Sequence, residues 1–139
     1  MTKNEILEFI NKNQACHLAT VEDGRPRVRG MLVYRVDKDG LVFHTGTTKD
    51  LYRQLMTNPA VEFCFDSPDR SIQVRVSGIA EISKDAALRG EIVSQRPFLK
   101  KIVDEHGEEL LAVFVVKKLK ASVWTFAVNL APKEWVDLD

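Results

Sequence analysis

Cysteine, histidine and long apolar runs are all scarce in this chain of 139 residues. Only Cys16 and Cys64 are present, far apart in apolar, strand-like segments, and no CxxC or HxH spacing occurs. Buried reduced thiols are therefore the ordinary reading over a disulfide or a metal pair, and no metal site is expected. His17, His44 and His106 likewise form no ligand spacing. Net charge is also missing, since 20 Lys and Arg balance 20 Asp and Glu. A dedicated nucleic-acid binder usually carries a basic excess, although a local basic patch stays open. A nucleic-acid-binding barrel would also need aromatics interleaved with its basic face, and the strand arginines lack them. Neither GxSxG, a Walker loop nor GxGxxG appears. The opening MTKNEILEF is acidic and not a secretory leader, and no segment is long enough to cross a membrane. The expectation is a cytoplasmic protein of one domain, residues 1–139, which at this size buries roughly two thirds of its unfolded surface.

What is present is strand-rich. Residues 2–13 predict a helix, with Thr2 and Glu5 as a capping box and Ile6, Leu7, Phe9 and Ile10 as the apolar stripe. Asp23-Gly24 and Asp39-Gly40 each sit between runs rich in Val, Leu and aromatics, which predicts three strands in tight hairpins. A helix over 48–57 ends at Asn58-Pro59. AVEFCF reads as a short strand, and RSIQVRVSGIAEI as a long one with Ile72, Val74, Val76, Ala80 and Ile82 on its core side. Helical segments follow from Ser83 to Val93 and from Pro97, then one or two strands over LLAVFVVKKLKASVWTF. Hairpin neighbours dominate, so the fold class is mainly β with helices (β+α): an antiparallel sheet curled into a small barrel. Residues 110–116 are apolar on both faces. The outer face needs cover from a helix or a second subunit, and a homodimer is favoured.

Alternation in RPRVRGMLVYR places Arg27, Arg29, Met31, Val33 and Arg35 on one face and Val28, Gly30, Leu32, Tyr34 and Val36 on the other. One reading is a solvated rim. The other is an anion site built from Arg29, Lys49 and the free amides of the helix starting near Thr48 in FHTGTTKDLYRQL. A cation in a first helical turn is disfavoured by the helix dipole, and a bound phosphate would offset that. Arginine adds a planar fork for phosphate oxygens. Gln73 faces outward with Ser71, Arg75, Ser77 and Ile79, and its amide can both donate and accept at a ring edge. His44 lies at the strand end leading to the phosphate helix.

The ordered set ACHLATVEDGRPRVRGMLVY, FHTGTTKDLYRQLMTNPAVEFCF and SIQVRVSGIAEI resembles the pyridoxamine 5′-phosphate oxidase-like, FMN-binding split-barrel proteins over about residues 1–128. The resemblance implies a six-stranded antiparallel split barrel with flanking helices, homodimeric, with two FMN sites between subunits. It assigns to FMN the stretch Arg29, Gly30, Met31, Leu32 and Val33, with the arginine on the phosphate and the following backbone along the ring. It also implies His44-Thr45 after the next strand, Thr48-Lys49 opening the helix, and Gln73, which in the family reaches the ring from the partner subunit. There are two departures. Tyr34 stands where the oxidase has a lysine, and the chain ends APKEWVDLD rather than in the oxidase's tryptophan- and arginine-bearing segment. FMN binding is therefore favoured over oxidation of pyridoxamine phosphate itself. The resulting expectation is an FMN-dependent oxidoreductase acting on an unidentified small molecule, with NADH or NADPH as a candidate electron donor. No catalytic side chain is assigned. Trp124, Phe126 and Trp135 are candidates to border an open ring face. The alternative is a non-catalytic dimer that stores, senses or carries flavin or haem.

Overall fold

The computed structural model describes all residues from Met1 to Asp139. Helix α1 (Lys3–Lys12) is capped by Thr2 in the expected box, with Glu5 N–H on the Thr2 hydroxyl and Ile6 and Ile10 buried. Strands β1 (Ala15–Glu22) and β2 (Arg25–Leu32) form a hairpin over Asp23-Gly24. Both turn residues have positive φ, +52° and +74°, the backbone of a type I′ turn that matches strand twist. β3 (Arg35–Asp37) and β4 (Gly40–Gly46) form the second hairpin, whose turn is Lys38-Asp39 with Gly40 opening the strand. Next come α2 (Asp50–Thr57), β5 (Ala60–Asp66), β6 (Gln73–Ser83), α3 (Ala86–Gln95) and α4 (Pro97–His106). Strand β7 (Leu111–Trp124) and the short β8 (Val136–Asp137) complete the order.

All eight strands join one sheet, in the order β2-β1-β5-β6-β7-β4-β3, with β8 on β7, and every pairing is antiparallel. Six of them run seven residues or longer; β3 has three and β8 two. The two ends of that order, β2 and β3, are consecutive in the chain and joined only through Val33 and Tyr34. The sheet therefore curls until its edges meet, yet no ladder closes β2 to β3. This is a split barrel. Inside it lie Phe43, Phe63, Phe65 and Phe114, all essentially buried, with Ile6 and Ile10 of α1 packed into the same core.

Three sequence expectations change here. The strand expected to run through Tyr34 stops at Leu32, and the chain turns at Val33-Tyr34. The Val33 amide donates to the Gln14 carbonyl at 3.0 Å and the Tyr34 amide to Val42 at 2.8 Å. That kink reverses the alternation, because a side-chain period of two has no tolerance for a break. Val36 enters the core, while Arg35 lies out on Glu91 and Asp37. The outer face of β7, moreover, is covered by the chain's own helices: Leu111 and Val113 pack with Val42 under Ile92 of α3 and Leu99 of α4. A second subunit is not needed for that purpose. The long strand bulges near Gly78, where the register against β7 shifts and Lys118 adopts φ +55°, and Ile82 emerges 41% exposed beyond it.

Gly40 has φ +128°, and a Cβ there would stand 2.5 Å from the Val116 carbonyl oxygen. Gly24 has φ +74° but open space around it. Gly40→Ala is expected to destabilise by on the order of 3 kcal/mol, strain and overlap together. Gly24→Ala is expected to cost about 1–2 kcal/mol through its backbone conformation alone. Urea unfolding of both variants measures the difference, and equal losses would remove the overlap from the account.

Candidate functional site

The unpaired edge of β2 opens onto a cleft of about 890 Å³. Its floor is β2 from Arg27 to Leu32, one end is the turn from His44 to Gly46 with the start of α2, and the far wall is α4. Of the residues expected from sequence, Arg29, Gly30, Met31, Leu32, His44, Thr45, Thr48 and Lys49 all line it. Val33 does not; it is fully buried in the barrel core. Gln73 does not either: its amide donates to Asp66 at 3.0 Å on another part of the sheet. Trp124, Phe126 and Trp135 are also absent from the lining. Trp124 bonds Asn129 and packs edge-on against Phe126, while Trp135 lies under the Arg75 guanidinium.

Arg29 is held without a carboxylate. Its Nη1 donates to the Leu18 carbonyl at 3.1 Å and to Thr20 Oγ1 at 2.8 Å, and its Nη2 donates to Gln54 Oε1. Thr20 donates to the same Gln54 oxygen at 2.6 Å. Neutral partners fix the direction of the guanidinium and leave its charge unspent, and burial lowers its pKa from the ordinary value. The acids at this end of the cleft are already engaged. Arg53 binds Glu22 at 2.6 Å and Asp50 at 2.9 Å, and Arg27 approaches Glu22 at 3.6 Å. The Glu22 carboxyl is held below its usual range first by the Arg53 hydrogen bond. Lys49 is the N-cap residue of α2 and makes no cap bond and no salt bridge. The amides of Asp50, Leu51 and Tyr52 find no acceptor in the protein, as the first turn of a helix requires. Two cations without carboxylate partners and the free amides of Asp50 and Leu51 thus line one end of the cleft.

Beyond these charged groups the cleft wall is apolar. Phe98 and Ile102 of α4 are 53% and 39% exposed beside Val28 and Leu32 of β2, at 70% and 44%. Gly30 lies between the latter two, and a Cβ there would meet nothing within 4 Å, so the strand offers a flat slot.

His44 is half-buried, and its pKa is lowered to about 4 by desolvation first, then by Arg96 and Lys49. Arg96, only 8% exposed, sits between α3 and α4 and reaches His44 Nε2 at 2.6 Å. Sequence reasoning missed Arg96, and it missed Gln54 and Thr20 as the holders of Arg29. Gln54 was legible as lying on the α2 face next to Leu51 and Leu55, but nothing local says that a glutamine there is buried.

The family model of pyridoxamine 5′-phosphate oxidase matches residues 2–133, and the chain belongs to that family. A pyridoxine/pyridoxamine 5′-phosphate oxidase of Haemophilus ducreyi is 33% identical over 98 residues, 70% of this chain and 46% of that one. The chain thus spans about half or less of the length of such curated relatives. A NimC/NimA family protein from Clostridium acetobutylicum shares the fold with a TM-score of 0.79 at 24% identity, covering 98% of this chain and 93% of that one. A pyridoxamine 5′-phosphate oxidase-related, FMN-binding protein from Nostoc punctiforme does so with a TM-score of 0.64 at 14% identity, covering 98% and 96%.

Two outcomes are expected from this geometry. Gln54→Leu leaves the Arg29 and Thr20 donors unpaired and should cost about 1–3 kcal/mol in urea unfolding, with part of the loss recovered when Thr20→Val is added. The unfolded chain binds a proton at His44 near pH 6.5 and the folded chain only near 4, so stability rises with pH across that window. The contribution is complete above 6.5 and lost as pH falls to about 4, amounting to at most about 3 kcal/mol. His44→Gln, which keeps an acceptor for Arg96 but cannot titrate, should flatten that part of the acid limb in a pH series of urea melts.

Proposed function

We propose that the protein binds FMN in this cleft and acts as a flavin-dependent oxidoreductase on a small molecule. The observation that carries this reading is the pair of cations, Arg29 and Lys49, without carboxylate partners beside the free first-turn amides of α2. A phosphate monoester suits such a cradle: the amides donate, the helix dipole favours the anion, and the guanidinium is already oriented. An isoalloxazine ring would lie along Gly30, Met31 and Leu32, with the His44-Thr45 end near it. Support also comes from family membership and from the likeness in fold to the FMN-binding protein of Nostoc punctiforme. When bound, FMN supplies reversible hydride and electron transfer. The chain's own residues hold the phosphate, give the ring a flat strand to rest on and exclude water with the α4 wall.

The cleft has one such cradle, not two. Tyr34, where the oxidase has a lysine, commits its hydroxyl to Glu91 at 2.6 Å, and Arg35 pairs with the same carboxylate. A substrate with its own phosphate finds no second pair of free cations along this chain's wall, which favours a substrate other than pyridoxamine phosphate. A homodimer belongs to this reading: a second copy would cover the exposed apolar rim of Val28, Leu32, Phe98 and Ile102, and would bring its Gln73 toward the ring. NADH or NADPH is the proposed electron donor. The competing reading is a carrier or sensor of flavin or haem that performs no turnover.

Purified protein should be yellow and release FMN identified by mass. Lys49→Glu places a like charge against the phosphate and should weaken FMN binding about 10–100-fold, measured by quenching of flavin fluorescence. Arg29→Met should do the same, with the larger effect at low salt. An unchanged flavin affinity in both would end the phosphate-cradle reading. Anaerobic bleaching by NADH or NADPH separates an oxidoreductase from a carrier.

A further inference from the structure

Arg96 is buried, and no carboxylate lies within ion-pair reach of it. Its Nη2 donates to the Val33 carbonyl at 2.8 Å, its Nη1 lies 3.5 Å from the Leu32 carbonyl, and the guanidinium covers the Tyr34 ring at 5.3 Å. The remaining partner is His44 Nε2, 2.6 Å from Nη1. A guanidinium has five donors and no acceptor. An imidazole nitrogen at that distance must present its lone pair, and in a neutral ring the proton then resides on Nδ1. No protein group accepts from Nδ1, and His44 lines the cleft. We propose that Arg96 is a positioning residue: it locks His44 as the neutral Nδ1–H tautomer and so equips the cleft with a fixed, uncharged donor for an oxygen or nitrogen acceptor of the bound ligand.

The surroundings of the ring agree from every side. The α3–α4 junction contributes Arg96, and the start of α2 contributes Lys49; both cations oppose an imidazolium. Phe98 of α4 contributes an apolar ring 6.4 Å away. The β2–β3 link contributes carbonyls that accept from Arg96 and the Tyr34 hydroxyl, which is committed to Glu91. On β7 the cross-strand neighbour of His44 is Val113. His44 is therefore a recognition group rather than a proton carrier at neutral pH. The role as a ligand donor rests on the cleft being the binding site proposed above; the tautomer does not.

Long-range proton–nitrogen NMR of the uniformly labelled full chain tests this, with His44 assigned by comparison with His44→Gln. The expected result is a protonated-type Nδ1 and a lone-pair-type Nε2, unchanged from pH 8 to pH 5. Arg96→Lys, which keeps a cationic donor, should retain that pattern. Arg96→Met should give averaged nitrogens and a ring that titrates within this range. An Nε2–H tautomer in the unaltered protein, an imidazolium above pH 5.5, or no change in Arg96→Met would overturn the lock. Added FMN should shift Nδ1. FMN binding, seen by fluorescence, with Nδ1 unmoved overturns the donor role. Failure of FMN to bind, with the tautomer as stated, counts against the cofactor reading and leaves the lock supported.

Discussion

A curled sheet whose two end strands are joined by Val33 and Tyr34 without a ladder between them is the constraint on which this molecule turns. Full closure would satisfy every backbone group on β2 and β3 but leave no opening. The split leaves β2 with a free edge, and that edge becomes the floor of the cleft. The kinked link would otherwise bury amides and carbonyls without partners, at a cost of about 1–3 kcal/mol each. Each is instead met: Gln14 takes the Val33 amide and its side chain donates to the Tyr34 carbonyl, while Asn11 bonds Val36 at both amide and carbonyl. Arg96 supplies the last donors, to the Leu32 and Val33 carbonyls. The same guanidinium then reaches His44, so the seam of the barrel and the chemistry of the cleft share one residue.

Charge in the cleft follows a simple economy of partners. The chain is neutral overall, yet its local balance is not. Glu22 and Asp50, the acids nearest Arg29, are drawn to Arg53 and Arg27. Arg29 is oriented by a carbonyl, a hydroxyl and an amide oxygen, none of which neutralises it. Lys49 stands at a helix N-terminus, where the dipole adds to the positive field instead of opposing it. That field and burial together keep His44 neutral. One electrostatic arrangement therefore does two things: it leaves two cations without carboxylate partners at the cleft and disfavours a proton on their neighbour His44.

Much of this was legible along the chain. The Thr2–Glu5 box, the Asp23-Gly24 turn and the Asn58-Pro59 stop are local signals read from residues within a few positions of one another. The cradle residues Arg29 and Lys49 stood out because a basic strand and a basic helix start are both locally unfavourable. The failures have the opposite character. The break at Val33 carries no glycine or proline; it exists because the curling sheet has run out of partners. Val33, expected along the cofactor, turns into the barrel interior just past the end of β2 and does not line the cleft.

The amino-acid sequence by itself determined the elements, their order, the two hairpins and the identity of the unusual cations. Periodicity, capping and turn geometry act between neighbours, where chain connectivity already sets the distances. Only the tertiary structure decided which cation stays without a carboxylate, which glutamine is buried and which arginine holds His44. Those outcomes depend on side chains brought together from β1, β2, β4, α2 and the α3–α4 junction across as many as 52 positions (His44 to Arg96) of chain. Hydrogen bonds act only within a few ångströms and screened Coulomb forces within about 10 Å, and separation along the chain says nothing about such distances until the sheet has curled.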